Sequence, residues 1–289
     1  MNKYVLAALL LIAVLALGVF GNHYLHLKAD WLTPIDFYGK VVDEGTNPVP
    51  DAEANLVWTD LSVKGNSEWK TKSDRNGRFA LRRARGKNLI VRVSKEGYYA
   101  YEPSGLAFDY AGDAQNFVAD KSKPVMFRLR KKGEAEPVAY CKKSFLIKKN
   151  GEPVELSLIV GKRVTAGQGD VRVECWTEKP KDTWKYNWRC RIAVANGGLQ
   201  QYTNEFPFLA PVDGYTPTDE IKMPVSLGEA WSPSAKRNYF LRLANGSYAR
   251  MTFAMIAGGD HFFEIESILN PSGSRNLEFD PNKVIQAPN

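Results

Sequence analysis

The chain has 289 residues, of which 44% are hydrophobic and 25% charged, and it carries a formal net charge of +7 and three cysteines. That length and apolar content can fill one large or two ordinary hydrophobic cores. The positive excess is concentrated in residues 38–132. Because no long basic run or nucleic-acid-binding motif accompanies it, it indicates a solvated surface and excludes nucleic acid as the expected partner.

The N-terminus is the first recognisable element. Lys3 precedes an uninterrupted apolar run from Tyr4 to Phe20, which is about as long as the shortest membrane-spanning helices and longer than the apolar region of most signal peptides. We therefore predict that residues 1–22 are a transmembrane helix, with a cleaved export signal as the alternative. Because the positive end stays in the cytoplasm, the bulk of the chain, beginning with a stalk at residues 23–35, is expected in the periplasm or on the cell surface.

Two histidines, His23 and His26, follow this run. A metal site needs three or four converging ligands, and neither a cysteine nor an acidic cluster lies beside these two side chains. No metal and no cofactor is therefore predicted.

Short apolar strands separated by turn signals organise residues 36–132. Asn76-Gly77, between two alternating runs, predicts a tight hairpin. Apolar residues that alternate with polar ones predict strands with one buried face. On this pattern we expect Phe79, Val91 and Phe127 to share one core.

Four motifs mark the strand ends in this stretch: Gly39-Lys-Val-Val-Asp43, Asn47-Pro-Val-Pro-Asp-Ala52, Ser73-Asp-Arg-Asn-Gly-Arg-Phe79 and Lys95-Glu-Gly-Tyr98. Together they resemble the carboxypeptidase regulatory-like domain, although Ser73 and Asp51 stand where that family usually has Thr and Gly. The resemblance implies a transthyretin-like β-sandwich over residues 36–132. It implies no activity, since the family occurs as an accessory module beside enzymes, transporters and surface proteins.

A charged stretch with Gly and Pro at residues 133–137 predicts a linker, after which residues 138–289 form a second domain. Three Asn-Gly pairs there, at Asn150-Gly151, Asn196-Gly197 and Asn245-Gly246, separate strand-like runs. Strands joined by tight turns indicate an antiparallel β-sandwich or a jelly-roll-like domain. The predicted fold class is therefore all-β, with a transthyretin-like sandwich and a second antiparallel domain behind an N-terminal transmembrane helix.

Two of the three cysteines lie on neighbouring predicted strands. Period two places Cys175 and Cys190 on the apolar faces of these strands. In an exported protein such a pair is expected to form a disulfide. Two separately buried thiols are the alternative, and Cys141 has no expected partner.

The hairpin between these cysteines contains four clustered aromatic residues, Trp176, Trp184, Tyr186 and Trp188. Exposed aromatic clusters are typical of surfaces that stack on sugar rings or contact a partner protein. We predict these four residues as a ligand-binding site, with the Trp176 and Trp188 rings on the outer face of the sheet. The alternative is that the aromatic side chains cover the open end of the second sandwich.

Catalytic signatures are missing from the sequence. His261 is the one histidine in the expected folded part, and no phosphate-binding loop, His-Glu-x-x-His or Gly-x-Ser-x-Gly motif occurs. The predicted function is a membrane-tethered, extracytoplasmic binding protein that is not an enzyme and has a protein or carbohydrate partner. An envelope polysaccharide hydrolase is the alternative, because a carboxylate pair assembled by the fold leaves no local spacing in the sequence.

Overall fold

The computed structural model describes residues 29–112, 115–178, 184–259 and 261–285. The chain divides into two compact units, Met1–Lys132 and Gly133–Asn289, and both are built from β-strands, which agrees with the predicted all-β class. The predicted transmembrane helix at residues 1–22 lies outside the described residues, as do residues 23–28 of the stalk. Within the described ranges no helix is long and apolar enough to cross a bilayer.

The first unit contains eight strands: β1 (Pro34–Val42), β2 (Glu53–Thr59), β3 (Asn66–Lys72), β4 (Arg78–Arg85), β5 (Asn88–Ser94), β6 (Tyr98–Ala100), β7 (Leu106–Asp109) and β8 (Val125–Lys131). They form two four-stranded sheets with the orders β4-β1-β8-β6 and β3-β2-β5-β7. Strands β1 and β8 are parallel, and the other ladders of this unit are antiparallel. Strand β1 already begins at Pro34, inside the predicted stalk.

One hydrophobic core lies between these two sheets. Buried residues alternate with more exposed ones along β1, β2 and β5, so each strand turns one face inward as period two requires. Phe79, Val91 and Phe127 belong to the same cluster of buried residues. The expectation that they share one core is confirmed, and the unit is a β-sandwich.

The turn between β3 and β4 is held by the side chain of Asp74. One of its carboxylate oxygens accepts hydrogen bonds from the backbone N–H groups of Asn76 and Arg78, both at 2.8 Å. Gly77 has a φ of 73°, the left-handed conformation that this tight turn needs. The Asp74 carboxylate therefore stabilises this turn. The hairpin predicted at Asn76-Gly77 is wrong, because the two strands belong to different sheets, where β3 pairs with β2 and β4 pairs with β1.

The second unit contains ten described strands: β9 (Ala139–Leu146), β10 (Val154–Ser157), β11 (Lys162–Arg163), β12 (Val171–Glu178), β13 (Asn187–Val194), β14 (Gly198–Gln201), β15 (Thr218–Met223), β16 (Ser234–Arg242), β17 (Tyr248–Ile256) and β18 (Phe262–Asn270). Two short 3₁₀ helices accompany them, Val225–Ala230 and Pro281–Lys283. The strands form two five-stranded sheets with the orders β11-β10-β12-β13-β15 and β14-β16-β17-β18-β9. All the described ladders of these two sheets are antiparallel.

The core of the second unit draws buried side chains from both of its sheets. Val173 and Ile192 come from one sheet, Met251 and Phe263 from the other, and all four belong to one cluster. The second unit is thus also an antiparallel sandwich, as the Asn-Gly pairs and apolar runs predicted.

The segment predicted as a linker is fixed to the second unit. The carboxylate of Glu278 accepts the backbone N–H of Gly133 at 2.8 Å, and Asn276 donates its side-chain amide to the carbonyl of Glu134 at 2.7 Å. Glu136 in turn accepts hydrogen bonds from the side chains of Asn270, the last residue of β18, and Ser274, in the loop that follows it. Residues 133–137 therefore form an ordered part of the second unit.

Candidate binding site

The predicted site lies on the hairpin of β12 and β13. The two strands pair from Val171 opposite Val194 to Glu178 opposite Asn187, and Cys175 stands directly opposite Cys190. Both cysteines are fully buried on the inner face of the sheet. The inward orientation that period two predicted for them is confirmed.

The three cysteines are free thiols in the structure, so the bond between Cys175 and Cys190 stays a prediction. Directly opposed residues of an antiparallel pair have Cα atoms about 4.5–5.5 Å apart, which lies within the range of disulfides. Burial raises the pKa of the Cys175 thiol to about 11 and raises that of Cys190 well above its usual value. The geometry permits a bond, whereas the raised pKa values make the reactive thiolate scarce.

Trp176 lies on the outer face of β12, one residue after Cys175. Its ring packs over Gly151, where an added Cβ would clash with the indole. The guanidinium carbons of Arg189 and Arg191 lie 4.3 Å and 5.6 Å from the ring centroid. The outward orientation expected for Trp176 is confirmed, but cationic side chains lie over the ring.

Trp188 points into the core, so the outward orientation expected for it is wrong. Its side chain is only 3% exposed and belongs to the main hydrophobic cluster, and its indole N–H donates to the carbonyl of Ser232 at 2.8 Å. The reason is the strand period: Trp188 precedes Cys190 by two residues, so both side chains share the inner face. Trp188 is a core residue rather than part of an exposed platform.

The most exposed of the four predicted aromatics is Trp184, at 76%. Its ring stands edge-on against the ring of Trp231, with 5.4 Å between the centroids, and the Tyr186 ring contacts Trp231 in the same way at 5.4 Å. Trp231 is 7% exposed, and its indole N–H donates to the carbonyl of Tyr186 at 2.9 Å. We call Trp184, Tyr186 and Trp231 the Trp184 cluster.

Lys185 adds a positive charge to this cluster. Its ammonium nitrogen lies 5.3 Å from the Trp184 ring centroid and 5.8 Å from that of Trp231, and it donates to the carbonyl of Gly228 at 2.6 Å. Cation–π attraction at these distances favours one arrangement of the exposed ring. Trp184 is therefore held between a buried ring and a cation.

Tyr186 contributes support to the cluster rather than an exposed face. Its ring packs against the main core as well as against Trp231, and burial raises the pKa of its hydroxyl. Of the four aromatics, the structure thus exposes Trp184, half-buries Trp176 and Tyr186, and buries Trp188.

A shallow cavity of about 200 Å³ adjoins the hairpin. It is lined by Trp176, Glu178, Asn187, Trp188, Arg189, Lys222 and Pro224. The side chains around it include two cations and one carboxylate, so it combines an aromatic edge with hydrogen-bonding groups. Such a combination suits a small polar ligand with an apolar face.

Ion pairs cover the outer face of this sheet. Arg191 bridges Glu174 at 3.6 Å and Glu220 at 2.8 Å. Each of these carboxylates also has a second cation: Arg172 contacts Glu174 at 2.6 Å, and Lys222 contacts Glu220 at 3.0 Å. The hydrogen bond from Arg191, followed by that from Lys222, lowers the pKa of Glu220. Glu220 is therefore held ionised by cations, whereas the general acid in glycoside hydrolysis must be protonated.

The single histidine of the described part lies apart from the Trp184 cluster in sequence and is buried. His261 is 4% exposed, has a φ of 51° and precedes β18. Among the described residues no group of three or more His, Cys, Asp or Glu side chains is placed to hold a metal ion.

Trp231 is the functional candidate that sequence reasoning missed. It lies 45 residues after Tyr186, with which it hydrogen-bonds, and it directly follows the 3₁₀ helix Val225–Ala230. No periodic pattern surrounds it, so only the tertiary fold brings it to the hairpin.

No protein family matches the sequence, and no curated protein matches it either. Several solved structures have a limited similarity to this chain, and three of them illustrate its extent. A 3-chlorocatechol 1,2-dioxygenase from Rhodococcus opacus is 17% identical with a TM-score of 0.26, and the match covers 34% of this chain and 60% of the dioxygenase. A streptococcal ancillary pilin is 12% identical with a TM-score of 0.25 over 69% and 61% of the two chains. A DUF3823 family protein from Bacteroides uniformis is 12% identical with a TM-score of 0.22 over 82% and 98%.

This chain spans less than two thirds of the dioxygenase and of the pilin. With TM-scores of this size, none of the three structures indicates an activity or a ligand for the chain.

Proposed function

We propose that this chain is a non-enzymatic binding protein of the cell envelope, tethered to the membrane by residues 1–22 with both β units outside the cytoplasm. The apolar run from Tyr4 to Phe20 supports the tether, because its length is sufficient for a spanning helix. The four strand-end motifs support a carboxypeptidase regulatory-like, transthyretin-like sandwich at residues 36–132.

The observation that carries the binding role is the fixed exposure of Trp184. An exposed tryptophan in a surface loop normally loses conformational freedom when a ligand stacks on it, and that loss costs free energy. Here the edge contact with Trp231 and the nearby Lys185 ammonium restrict the ring before any ligand arrives. A ring that is both exposed and restricted is suited to stacking against a flat partner.

This surface is better suited to binding a carbohydrate than to forming a large interface with a protein. A specific protein interface buries about 800 Å² per partner around a central cluster of anchors, whereas the Trp184 cluster exposes a single large ring. The apolar face of one sugar can cover such a ring, and the polar groups around the cavity beside the hairpin can bind hydroxyls of the same glycan. We therefore propose an envelope glycan as the ligand, with a protein partner as the other outcome of the test.

The carboxyl groups support a binding role over hydrolysis. Hydrolysis of glycosides needs one acid with a raised pKa. Hydrogen bonds lower the pKa of each described carboxyl whose pKa is shifted: Asp43, Asp60, Asp120, Glu136 and Glu220. These five groups are suited to structural roles.

The test is co-sedimentation of the purified full chain with insoluble envelope polysaccharide. Trp184→Ala should weaken binding about tenfold or more, as expected for an aromatic anchor, and Trp184→Phe should recover part of the affinity. Leu209→Ala, which removes another exposed apolar side chain of the same unit (55% exposed), should leave the affinity unchanged.

Three results would contradict the proposal. If the wild type and Trp184→Ala bind equally well, the Trp184 cluster is not the binding site. If Trp176→Ala alone loses binding, the binding site is the cavity beside the hairpin instead. Release of reducing sugar ends from the polysaccharide by the purified wild type would establish a hydrolase instead.

A further inference from the structure

Strand β3 ends one sheet of the first unit and exposes a long edge. It pairs with β2 on one side, and among the described residues no strand pairs with its other side. Its seven residues are mostly solvent-exposed, and Trp69 at its centre is 51% exposed. Unpaired strand edges of this length are templates for pairing with another strand.

The hydrogen bonds of the β2–β3 hairpin determine which backbone groups face outward. Ser73 donates to the carbonyl of Ala52 at one end, and Asp60 donates to the carbonyl of Gly65 at the other. Residues exchange bonds with their partner at every second position of an antiparallel ladder. Ser67, Trp69 and Thr71 therefore bond to β2, while Glu68, Lys70 and Lys72 direct their N–H and C=O groups toward solvent. The carbonyl of Asn66 also faces away from β2, but it accepts the Ser62 hydroxyl at 3.0 Å.

The sequence of β3 is complementary to itself around Trp69. When two copies run antiparallel with Trp69 opposite Trp69, Glu68 of each copy stands opposite Lys70 of the other, and Ser67 stands opposite Thr71. The outward-facing Glu68 and Lys70 then form the hydrogen-bonded pairs, and Trp69 forms the non-hydrogen-bonded pair, in which side chains approach most closely. Both opposite charges and paired aromatics stabilise cross-strand neighbours.

Neighbouring registers are unfavourable. A pairing of the two copies centred on position 68 places Glu68 opposite Glu68, and a pairing centred on position 70 places Lys70 opposite Lys70. Like charges directly opposite each other destabilise a sheet. The two side chains are 47% and 73% exposed and already form an ion pair within one copy, at 3.3 Å. The central register would extend that pair into a rectangle of four charges of alternating sign, two on each strand.

We propose that the protein forms a symmetric dimer in which β3 pairs antiparallel with β3 of a second copy, with Trp69 on the twofold axis. The dimer joins two four-stranded sheets into one of eight strands. Trp69 shares the face of the buried Leu56, its neighbour on β2, so the two indoles meet at the rim of the two cores. This pairing covers the exposed edge and both exposed rings together, as expected of an isologous interface.

Cysteine cross-linking of the full chain in detergent micelles tests the register. Trp69→Cys should form a disulfide-linked dimer under mild oxidation, because opposed non-hydrogen-bonded residues have Cα atoms about 4.5 Å apart, within disulfide range. Ser67→Cys and Thr71→Cys should each stay monomeric on a non-reducing gel when oxidised alone. Mixing these two variants should give the linked dimer while retaining Trp69.

The natural cysteines provide the background control. Cys141, Cys175 and Cys190 are buried, so the oxidised wild type should give no linked dimer. Cross-linking of Ser67→Cys alone, or absence of a linked product both from Trp69→Cys and from the mixture, would overturn the proposed register.

Charge exchange tests the same interface without cysteines. Lys70→Glu places like charges at two symmetric positions and should raise the dimer dissociation constant about tenfold or more in sedimentation equilibrium, whereas Glu68→Lys combined with Lys70→Glu should restore it. The exchanged side chains are exposed, and equal thermal melting of all variants would show that the fold is kept. A monomeric wild type, or a dimer that Lys70→Glu leaves intact, would overturn the proposal.

Discussion

Phe127 lies within a group of aromatic rings at the centre of the first sandwich. Its ring centroid is 6.2 Å from that of Phe37 and 5.6 Å from that of Phe79. The Phe79 ring in turn covers Gly39, where an added Cβ would clash with it. Glycine at this position of β1 thus makes room for a ring, and the surrounding side chains have little freedom to fill a gap.

We expect Phe127→Ala to destabilise the first unit by about 3–5 kcal/mol, the cost typical of deleting a buried aromatic ring. The change should appear in urea unfolding and as lost hydrogen-exchange protection in β1, β4 and β8, with the second unit unaffected. Met126→Ala is the matched control, because Met126 is the adjacent residue and is 43% exposed; its unfolding curve should stay close to wild type. A wild-type curve for Phe127→Ala would refute the inward face assigned to β8.

Single residues also show what the sequence could reveal. Period two was sufficient to place Phe127, Cys175 and Trp176, because each has an alternating strand around it. The same rule places the Trp188 side chain in the core, because Trp188 lies two residues from the inward-facing Cys190. The expectation of an outward ring was therefore an error in applying the rule, since the sequence itself predicts the correct orientation. The support of Trp184 by Trp231 is different, since no local pattern links residues so far apart in the chain.

At the scale of elements, the β12–β13 hairpin combines a buried seam with a polar outer face. Cys175 and Cys190 are directly opposed on the inner face, while Glu174, Arg191 and Glu220 form ion pairs on the outer face. The two faces arise from one alternating sequence. The pairing of β12 with β13 could be inferred from the two cysteines. The ion pairs with β15 could not, because they depend on a strand that is distant in sequence.

We predict that Cys175 and Cys190 form a disulfide in the exported protein. Thiol titration of the denatured, unreduced protein should then find one free thiol, that of Cys141. In the chain-entropy model, closing a loop of about 15 residues stabilises the unit by roughly 3 kcal/mol, so a reductant should lower the urea midpoint of the second unit.

The Cys141→Ser variant provides the control for this titration, because it removes the third thiol and should leave none free. If the denatured wild type yields three thiols, the cysteines are separate buried groups. Their raised pKa values would then predict slow labelling in the native state.

At the scale of the whole molecule, we expect the apolar run from Tyr4 to Phe20 to determine where the two units reside. We expect the full chain to fractionate with membranes, and a chain lacking residues 1–22 to remain in the soluble fraction. Protease added outside the cytoplasmic membrane should digest the β units. Mass analysis of a mature chain that begins at residue 19 or 22 would leave export intact and eliminate the anchor.

The segment after the first unit has a structural role that composition alone did not reveal. Charged residues with Gly and Pro are typical of a flexible linker, yet the Glu136 carboxylate accepts hydrogen bonds from Asn270 at 2.9 Å and Ser274 at 2.7 Å. These partners lie at the end of β18 and in the loop after it, more than a hundred residues later. Composition thus identified the boundary region but not the contacts that order it.

We expect these contacts to make the second unit sensitive to acid. The hydrogen bond from Asn270, then that from Ser274, lowers the Glu136 pKa below its usual 4.5. A carboxyl whose pKa is lowered by folding stabilises the folded state above its unfolded pKa, and this contribution is lost as the pH falls through the folded pKa. Glu136 therefore stabilises the unit at neutral pH and ceases to do so once it is protonated.

The variant Glu136→Gln separates this contribution from that of other carboxyls. At pH 7 it should lower the free energy of unfolding of the second unit by about 1 kcal/mol, since an amide cannot accept at both of its terminal atoms and the site is partly exposed. Well below pH 4.5 the difference from wild type should vanish, because the wild-type carboxyl is then neutral too. Glu134→Gln, which changes the exposed glutamate two residues earlier, should follow the wild-type curve at every pH. If Glu136→Gln remains less stable than the wild type by the same amount in acid, the loss of stability arises from the changed shape of the side chain rather than from its charge.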